Sequence, residues 1–364
     1  MPHPPGILGG THGRRGLTAP PVTNMKRNFT YKALTGALLA LAIALVAQSC
    51  HHADLEIGVQ RAIGFSALET KAGATADNIA ASGSAFIVRG SASTGSTWAS
   101  GATTVFDGVT VTSDGTAWTY DPLQYWLPSS AYRFRAVWPA SAFGTSGATY
   151  TDDLSSGAVI TDFTVSPYPD NQVDLLLSEL AEVTTDGAGL PSTTSGKVNL
   201  QFEHILSNVH LQIYEDTDSN EGADEFEIIG VNLNGMKSKG TYSGTTESGT
   251  WNTSSASSLS CVKNFTGKIA PDASGTDAEI WEDGLYLIPQ QTANDVNLAL
   301  DYKVTHGGST ANKSVVIPIP STEWKAGYKY TYTIALSESY YIVFTDITIE
   351  AWGTTQASGT VIIK

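Results

Sequence analysis

The chain has 364 residues, with 20 Lys and Arg against 35 Asp and Glu, a net charge of −15. Five of the basic residues (Arg14, Arg15, Lys26, Arg27, Lys32) and none of the acidic ones precede Cys50, so beyond it 15 basic residues face 35 acidic ones. Nucleic acid and anionic lipid surfaces are excluded as partners, because both are bound by clustered Lys and Arg.

Residues 1–24 are rich in Pro and Gly and carry no apolar period. Lys26 and Arg27 then form a positive region, followed by an uncharged apolar run over 37–47. That run is shorter than the roughly 20 residues of a membrane-spanning helix. With the small-residue stretch 47–49 before Cys50, it has the layout of a bacterial lipoprotein signal. Translation is expected to start at Met25, and the thiol of Cys50 to carry the lipid. A buried helix is the other reading, but nothing amphipathic follows that would pack against it. Residues 1–49 are therefore expected to lie outside the fold, with His51 and His52 as tether. With Cys50 lipidated, Cys261 has no partner within the chain, and zinc sites built from paired Cys and His are excluded.

The remainder is rich in Ser, Thr and Gly, and short alternating runs recur between turn clusters. They include 62–68, 85–89 (AFIVR), 198–202 (VNLQF), 209–214 (VHLQIY), 296–302 (VNLALDY), 314–319 (SVVIPI), 328–334 (YKYTYTI) and 343–349 (VFTDITI). Alternation marks strands with one buried face, and many such strands separated by turns predict an all-β chain of antiparallel sandwiches or barrels. One short helix is expected over 171–181. Residues 184–197 (TTDGAGLPSTTSGK) read as a linker, and 241–260 as a surface excursion.

The aromatic run 118–128 and the strand that begins at Tyr132 place Tyr132, Phe134 and Ala136 on one face. Buried rings there would carry much of the core energy, of order 1.5–3 kcal/mol each. An exposed platform for sugars, with Trp126 and Trp138, would use the same residue types; the core reading is preferred.

Chemistry-bearing patterns are sparse. Asp216, Asp218, Asn220 and Glu227 match positions one, three, five and twelve of a calcium loop, but Glu221 stands where Gly is required, and strands flank the run. A solvated acidic hairpin loop over 215–227 is preferred to a calcium site. His204 and His210 lie six apart with no third ligand in register, so His204 is read as a hydrogen-bonded structural residue and no metal is expected. No phosphate loop, Gly-x-Ser-x-Gly elbow or His-Glu-x-x-His is present. No cofactor is implied, and the chain is not read as an enzyme.

Six motifs in order, YDPLQYWLPSSAYRFRAVWP (120–139), DLLLSE (174–179), VNLQFEHILSNVHLQI (198–213), GLYLIPQQ (284–291), WKAGYKYTYTIAL (324–336) and IEAWG (349–353), resemble those of the fimbrillin-like proteins, the type V pilins of Bacteroidales. The resemblance spans residue 63 to the C-terminus. It implies two tandem transthyretin-like β-sandwich domains exported as an outer-membrane lipoprotein, without a catalytic role. The partition it implies is a lipidated segment with the first strand over 50–71, an N-terminal sandwich over 72–196 and a C-terminal sandwich over 197–364. In polymerising relatives a trypsin-like protease removes the first strand, and a C-terminal strand of another subunit fills the groove.

Carried onto this chain, processing is expected between Lys71 and Ala72, with Arg61 and Ala62 as the runner-up; the Lys departs from the family's usual Arg. Val343, Thr345, Ile347, Ile349 and Ala351 share one face of an extended run, and 359–364 (GTVIIK) is a further short strand carrying Val361 and Ile363. Either stretch could be the donated strand, or both could complete the C-terminal sandwich. The partners implied are other pilin subunits and a host or bacterial surface receptor. The other function open to the sequence is a surface lipoprotein that binds glycans.

Overall fold

A computed structural model describes residues 60–69, 79–99, 101–145, 147–216, 225–264, 278–292, 295–337, 342–352 and 359–361. In chain order the first strands are β1 (Gly64–Glu69), β2 (Ala85–Thr94), β3 (Thr103–Ser113), β4 (Trp118–Thr119) and β5 (Ser130–Trp138). Next come β6 (Thr149–Asp152), β7 (Ala158–Thr164), β8 (Leu176–Ser178), β9 (Ala181–Thr184) and β10 (Lys197–His204). They are followed by β11 (Ser207–Asp216), β12 (Glu225–Lys237), β13 (Lys239–Gly244), β14 (Thr250–Asn252), β15 (Ser258–Asn264) and β16 (Ala278–Glu279). The last are β17 (Leu285–Leu287), β18 (Asn297–His306), β19 (Ser309–Pro318), β20 (Tyr328–Ser337), β21 (Ile342–Ala351) and β22 (Gly359–Val361). The chain is all-β, as its alternation predicts.

Side chains follow the two-residue period. On β10, Val198, Leu200, Phe202 and His204 are buried, while Lys197, Asn199 and Gln201 are exposed. On β18, Leu298, Leu300, Tyr302 and Val304 are buried. An eight-stranded sheet runs β1-β10-β8-β5-β2-β3-β4, with β9 beside β5. A six-stranded sheet runs β16-β11-β20-β21-β22, with β17 beside β11. Two four-stranded sheets run β15-β12-β18-β19 and β14-β13-β7-β6. Pairing is antiparallel except for β1–β10 and β11–β20, which are parallel. In both pairs a long stretch of chain separates the partners, which parallel strands need and a hairpin cannot supply.

Two hydrophobic cores result. One, built on Phe65, Phe86, Phe106, Tyr132, Phe134 and Phe202, belongs to the eight-stranded sheet. The other joins side chains of the remaining three sheets, among them Tyr150, Ile160, Leu211, Leu300, Trp324 and Ile347. Strand β10, which begins at residue 197, hydrogen-bonds within the first sheet, while β7 pairs with β13.

Three local expectations are corrected. The helix expected over 171–181 is absent: Pro169–Asn171 form a 3-10 turn and β8 lies between β5 and β10. Leu175, Leu176 and Leu177 are all buried, so the apolar triplet belongs to a strand covered on both faces, which spacing alone does not separate from a helix. The expected linker is an anchored loop. Thr185 Oγ1 donates to the Leu127 carbonyl at 2.6 Å, the Ser129 N–H to the Asp186 carbonyl at 2.7 Å, and the N–H groups of Ala188 and Leu190 to Asp186 Oδ1. Within 241–260, β14 pairs with β13 and buries Tyr242 against Trp251, so this stretch is sheet structure.

Candidate functional site

Strand β1 sits where two ends of a curled sheet meet. Along one side it pairs with β10 in parallel register, Phe65 opposite Val198 and Ala67 opposite Leu200. Just before it, the chain is bonded to the segment that follows β4. The Ile63 N–H donates to the Gln124 carbonyl at 2.8 Å and the Trp126 N–H to the Arg61 carbonyl at 3.0 Å. Ala62 bridges Tyr125, and the Tyr120 hydroxyl donates to the Ile63 carbonyl at 2.7 Å. Residues 61–69 therefore close the gap between β10 and 124–126.

The buried face of this insert is aromatic and aliphatic. Ile63 is 1% and Phe65 2% exposed. The Phe65 ring meets Phe86, Phe106, Tyr120 and Phe134 edge-on, with centroids 5.4–6.1 Å apart. Edge-to-face pairs of this kind add about 0.5–1.5 kcal/mol each beyond area burial. Gly90 on β2 makes room: a Cβ there would lie 2.5 Å from the Phe134 ring. With β1 taken away, these four rings and the inward side chains of β10 would line an open groove with unpaired backbone on both rims.

Of the sequence-predicted residues, Arg61 and Ala62 are exposed at the start of the insert, but their backbone is held by the bonds to 125–126. Cys50, Lys71, Ala72 and Ile363 lie outside the described residues, as do Asp218 and Asn220 of the acidic loop. Trp126 is 4% exposed and packs edge-on to Tyr132 at 4.8 Å, and half-buried Trp138 donates its Nε1–H to Ser84 Oγ. These two tryptophans belong to the packing, as preferred, and form no open platform.

The extended run 343–351 does not present one face. Thr333 faces Asp346 while Ile334 faces Phe344, so Thr345 is the extra residue of a β-bulge. Beyond it the parity changes. Ile347 is buried and Ile349 packs on the core, but so do Phe344 and Ile342, whereas Val343 is 47% exposed and Thr345 is also exposed. At the end of the chain β22 pairs with β21, Val361 opposite Ile347.

The two histidines reach different carboxylates. His204 Nδ1 is 3.0 Å from Asp174 Oδ1, and its ring stacks on Trp352 at 3.7 Å. His210 Nδ1 is 2.6 Å from Glu279 Oε1. Among the described residues no three His, Cys, Asp or Glu side chains are grouped to hold a metal. Cys261 is buried, which pushes its thiol up to about 11 and leaves it protonated. The residues that sequence reasoning missed are Tyr120 and 124–126. Their pairing with residue 63 spans some sixty positions and carries no local signal.

A family model described as fimbrillin-like matches residues 70–352. The fold is similar to that of a fimbrial protein from Bacteroides vulgatus ATCC 8482, with a TM-score of 0.57, 17% identity, and coverage of 80% of this chain and 99% of that one. A candidate cell adhesion protein from Bacteroides ovatus ATCC 8483 is matched over 82% of this chain and 100% of its own, with a TM-score of 0.49 and 15% identity. No curated protein matches the chain. With the family model matched across most of its length, the chain belongs to the fimbrillin-like family.

Proposed function

We propose that the chain is a structural or adhesive subunit of a surface pilus, exported as a lipoprotein on Cys50 and assembled when β1 is removed and replaced by a strand of another subunit. Family membership supports the pilus or adhesion role. The observation that carries the replacement step is the seat of β1. Strand β1 pairs with β10, and residues 61–63 just before it are bonded to 124–126; loss of this insert would bare Phe86, Phe106, Tyr120 and Phe134. Such a groove demands a substitute strand.

The seat also favours one processing position over the other. A cut between Arg61 and Ala62 would leave residues 62–69 in place and the groove shut. A cut between Lys71 and Ala72 would detach all of β1 and, with it, the lipid on Cys50. The arriving strand is assigned to the C-terminal residues 359–364, with Val361 and Ile363 as its apolar side chains. Strand β22 is three residues long and lies at a sheet edge, so it can leave at small cost. Strand β21 is held between β20 and β22 and buries Ile347.

Treatment of the full chain with trypsin tests this. The expected products are a fragment that starts at Ala72 and SDS-resistant ladders, both lost in Lys71→Gln. A protein that remains monomeric after loss of β1 would count against strand replacement.

A further inference from the structure

A cleft of about 710 Å³ opens between the β13–β14 hairpin and the segments 289–291 and 323–328. Its volume lies within the about 300–1,000 Å³ typical of small-molecule sites. None of its lining residues belongs to β1 or to the groups that hold β1.

The frame of the cleft is rigid. Gln290 and Trp324 exchange backbone hydrogen bonds at 3.1 and 2.9 Å, and Gln291 bridges Glu323. Gln290 Oε1 accepts from the Lys237 N–H, and Trp251 is fixed by its Nε1–H donating to the Ile205 carbonyl at 2.7 Å. Against this frame stand solvent-facing polar side chains that no other side chain engages. Lys237, Glu247, Gln291, Asp295 and Tyr328 are among the residues that line the cleft. None makes a side-chain hydrogen bond or ion pair among the described residues. Tyr328 is 40% exposed and Trp251 is half-buried, so two rings are offered together with both donors and acceptors.

That combination selects a ligand class. Three lining carboxylates (Glu247, Asp295, Glu323) beside two ammonium groups (Lys237, Lys325) disfavour a phosphate or any other strongly anionic group. The density of unpaired polar groups disfavours a purely apolar molecule, since these groups would be buried without partners. A neutral, polyhydroxylated ligand fits: its hydroxyls donate to Glu247 and Asp295, its oxygens accept from Lys237 and Gln291, and its C–H faces lie on the rings. We propose that this cleft is a binding site for a neutral oligosaccharide. It is a different surface from Trp126 and Trp138, and it does not depend on strand replacement.

Isothermal titration of the full chain with maltohexaose, laminarihexaose, chitohexaose and a mannan oligosaccharide tests the site, with an alanine-serine hexapeptide as the control. At least one saccharide is expected to bind, and Tyr328→Ala and Asp295→Asn are each expected to weaken it by about tenfold or more. Tyr328 is chosen over Trp251 because its ring is exposed and its hydroxyl unbonded, so its loss spares the fold. Lys71→Gln should bind as the parent does, which separates this site from processing. Binding of the peptide alone, no saccharide binding, or undiminished binding in both cleft variants would overturn the proposal.

Discussion

Arg135 and Asp152 form an ion pair whose side chains are 3% and 0% exposed, with Arg135 Nη1 at 3.0 and 2.8 Å from the two carboxylate oxygens. Asp152 also accepts from the Leu154 N–H at 2.6 Å and from the Tyr150 hydroxyl at 3.3 Å. Burial, with the Asp152 charge next, pushes the Tyr150 hydroxyl well above its usual value, so it stays a donor. Removing one partner of such a pair strands the other charge, which costs about 3–5 kcal/mol. Asp152→Ala is expected to lower unfolding stability by that amount in denaturant titration, and the conservative Asp152→Asn by less.

The neighbouring Asp153 is exposed and makes a different prediction. The Ser156 hydroxyl, with the N–H groups of Ser156 and Ser155, donates to its carboxylate and pulls the carboxyl down to about 2. A folded value below the usual 3.8 means that this contribution to stability is present above 3.8 and is lost as pH falls through about 2. Titration of the Asp153 carboxyl by carbon NMR should give a midpoint near 2, moved upward in Ser156→Ala. A parent midpoint of 3.8 would contradict it.

At the scale of elements, β1 is where packing and the proposed function meet. Phe65 touches four rings, so Phe65→Ala is expected to cost about 3–5 kcal/mol and to raise exchange of the β1 amides. Strand β5 was legible from sequence, since Tyr132, Phe134 and Ala136 repeat with period two and all face the core. The stretch 171–181 was not, because three consecutive leucines carry no period. The face of 343–351 was misread because the bulge at Thr345 reverses parity, and nothing in residues 343–349 announces an extra residue. The seat of β1 was half legible. Its alternation is local, but its partners near residues 124 and 198 become neighbours only through the fold.

For the whole molecule, two of the edge strands lie nearest the chain termini: β1 near the start and β22 near the end. The first covers an aromatic groove and the second caps β21. A subunit that loses the first and donates the second would polymerise head to tail, each link renewing the same open groove. The saccharide cleft uses neither strand, so assembly would leave its lining residues unaltered. Hydrophobic burial would supply the drive for such assembly, since each large apolar side chain returned to the groove is worth about 1.5–3 kcal/mol.

The most direct measurement is the N-terminal residue of the subunit recovered from assembled surface polymers, read by mass spectrometry. Chains that start at Ala72 are expected, with β1 and the lipidated Cys50 absent. Polymers whose subunits still carry residues 63–69 would contradict it, since the groove would then never have opened.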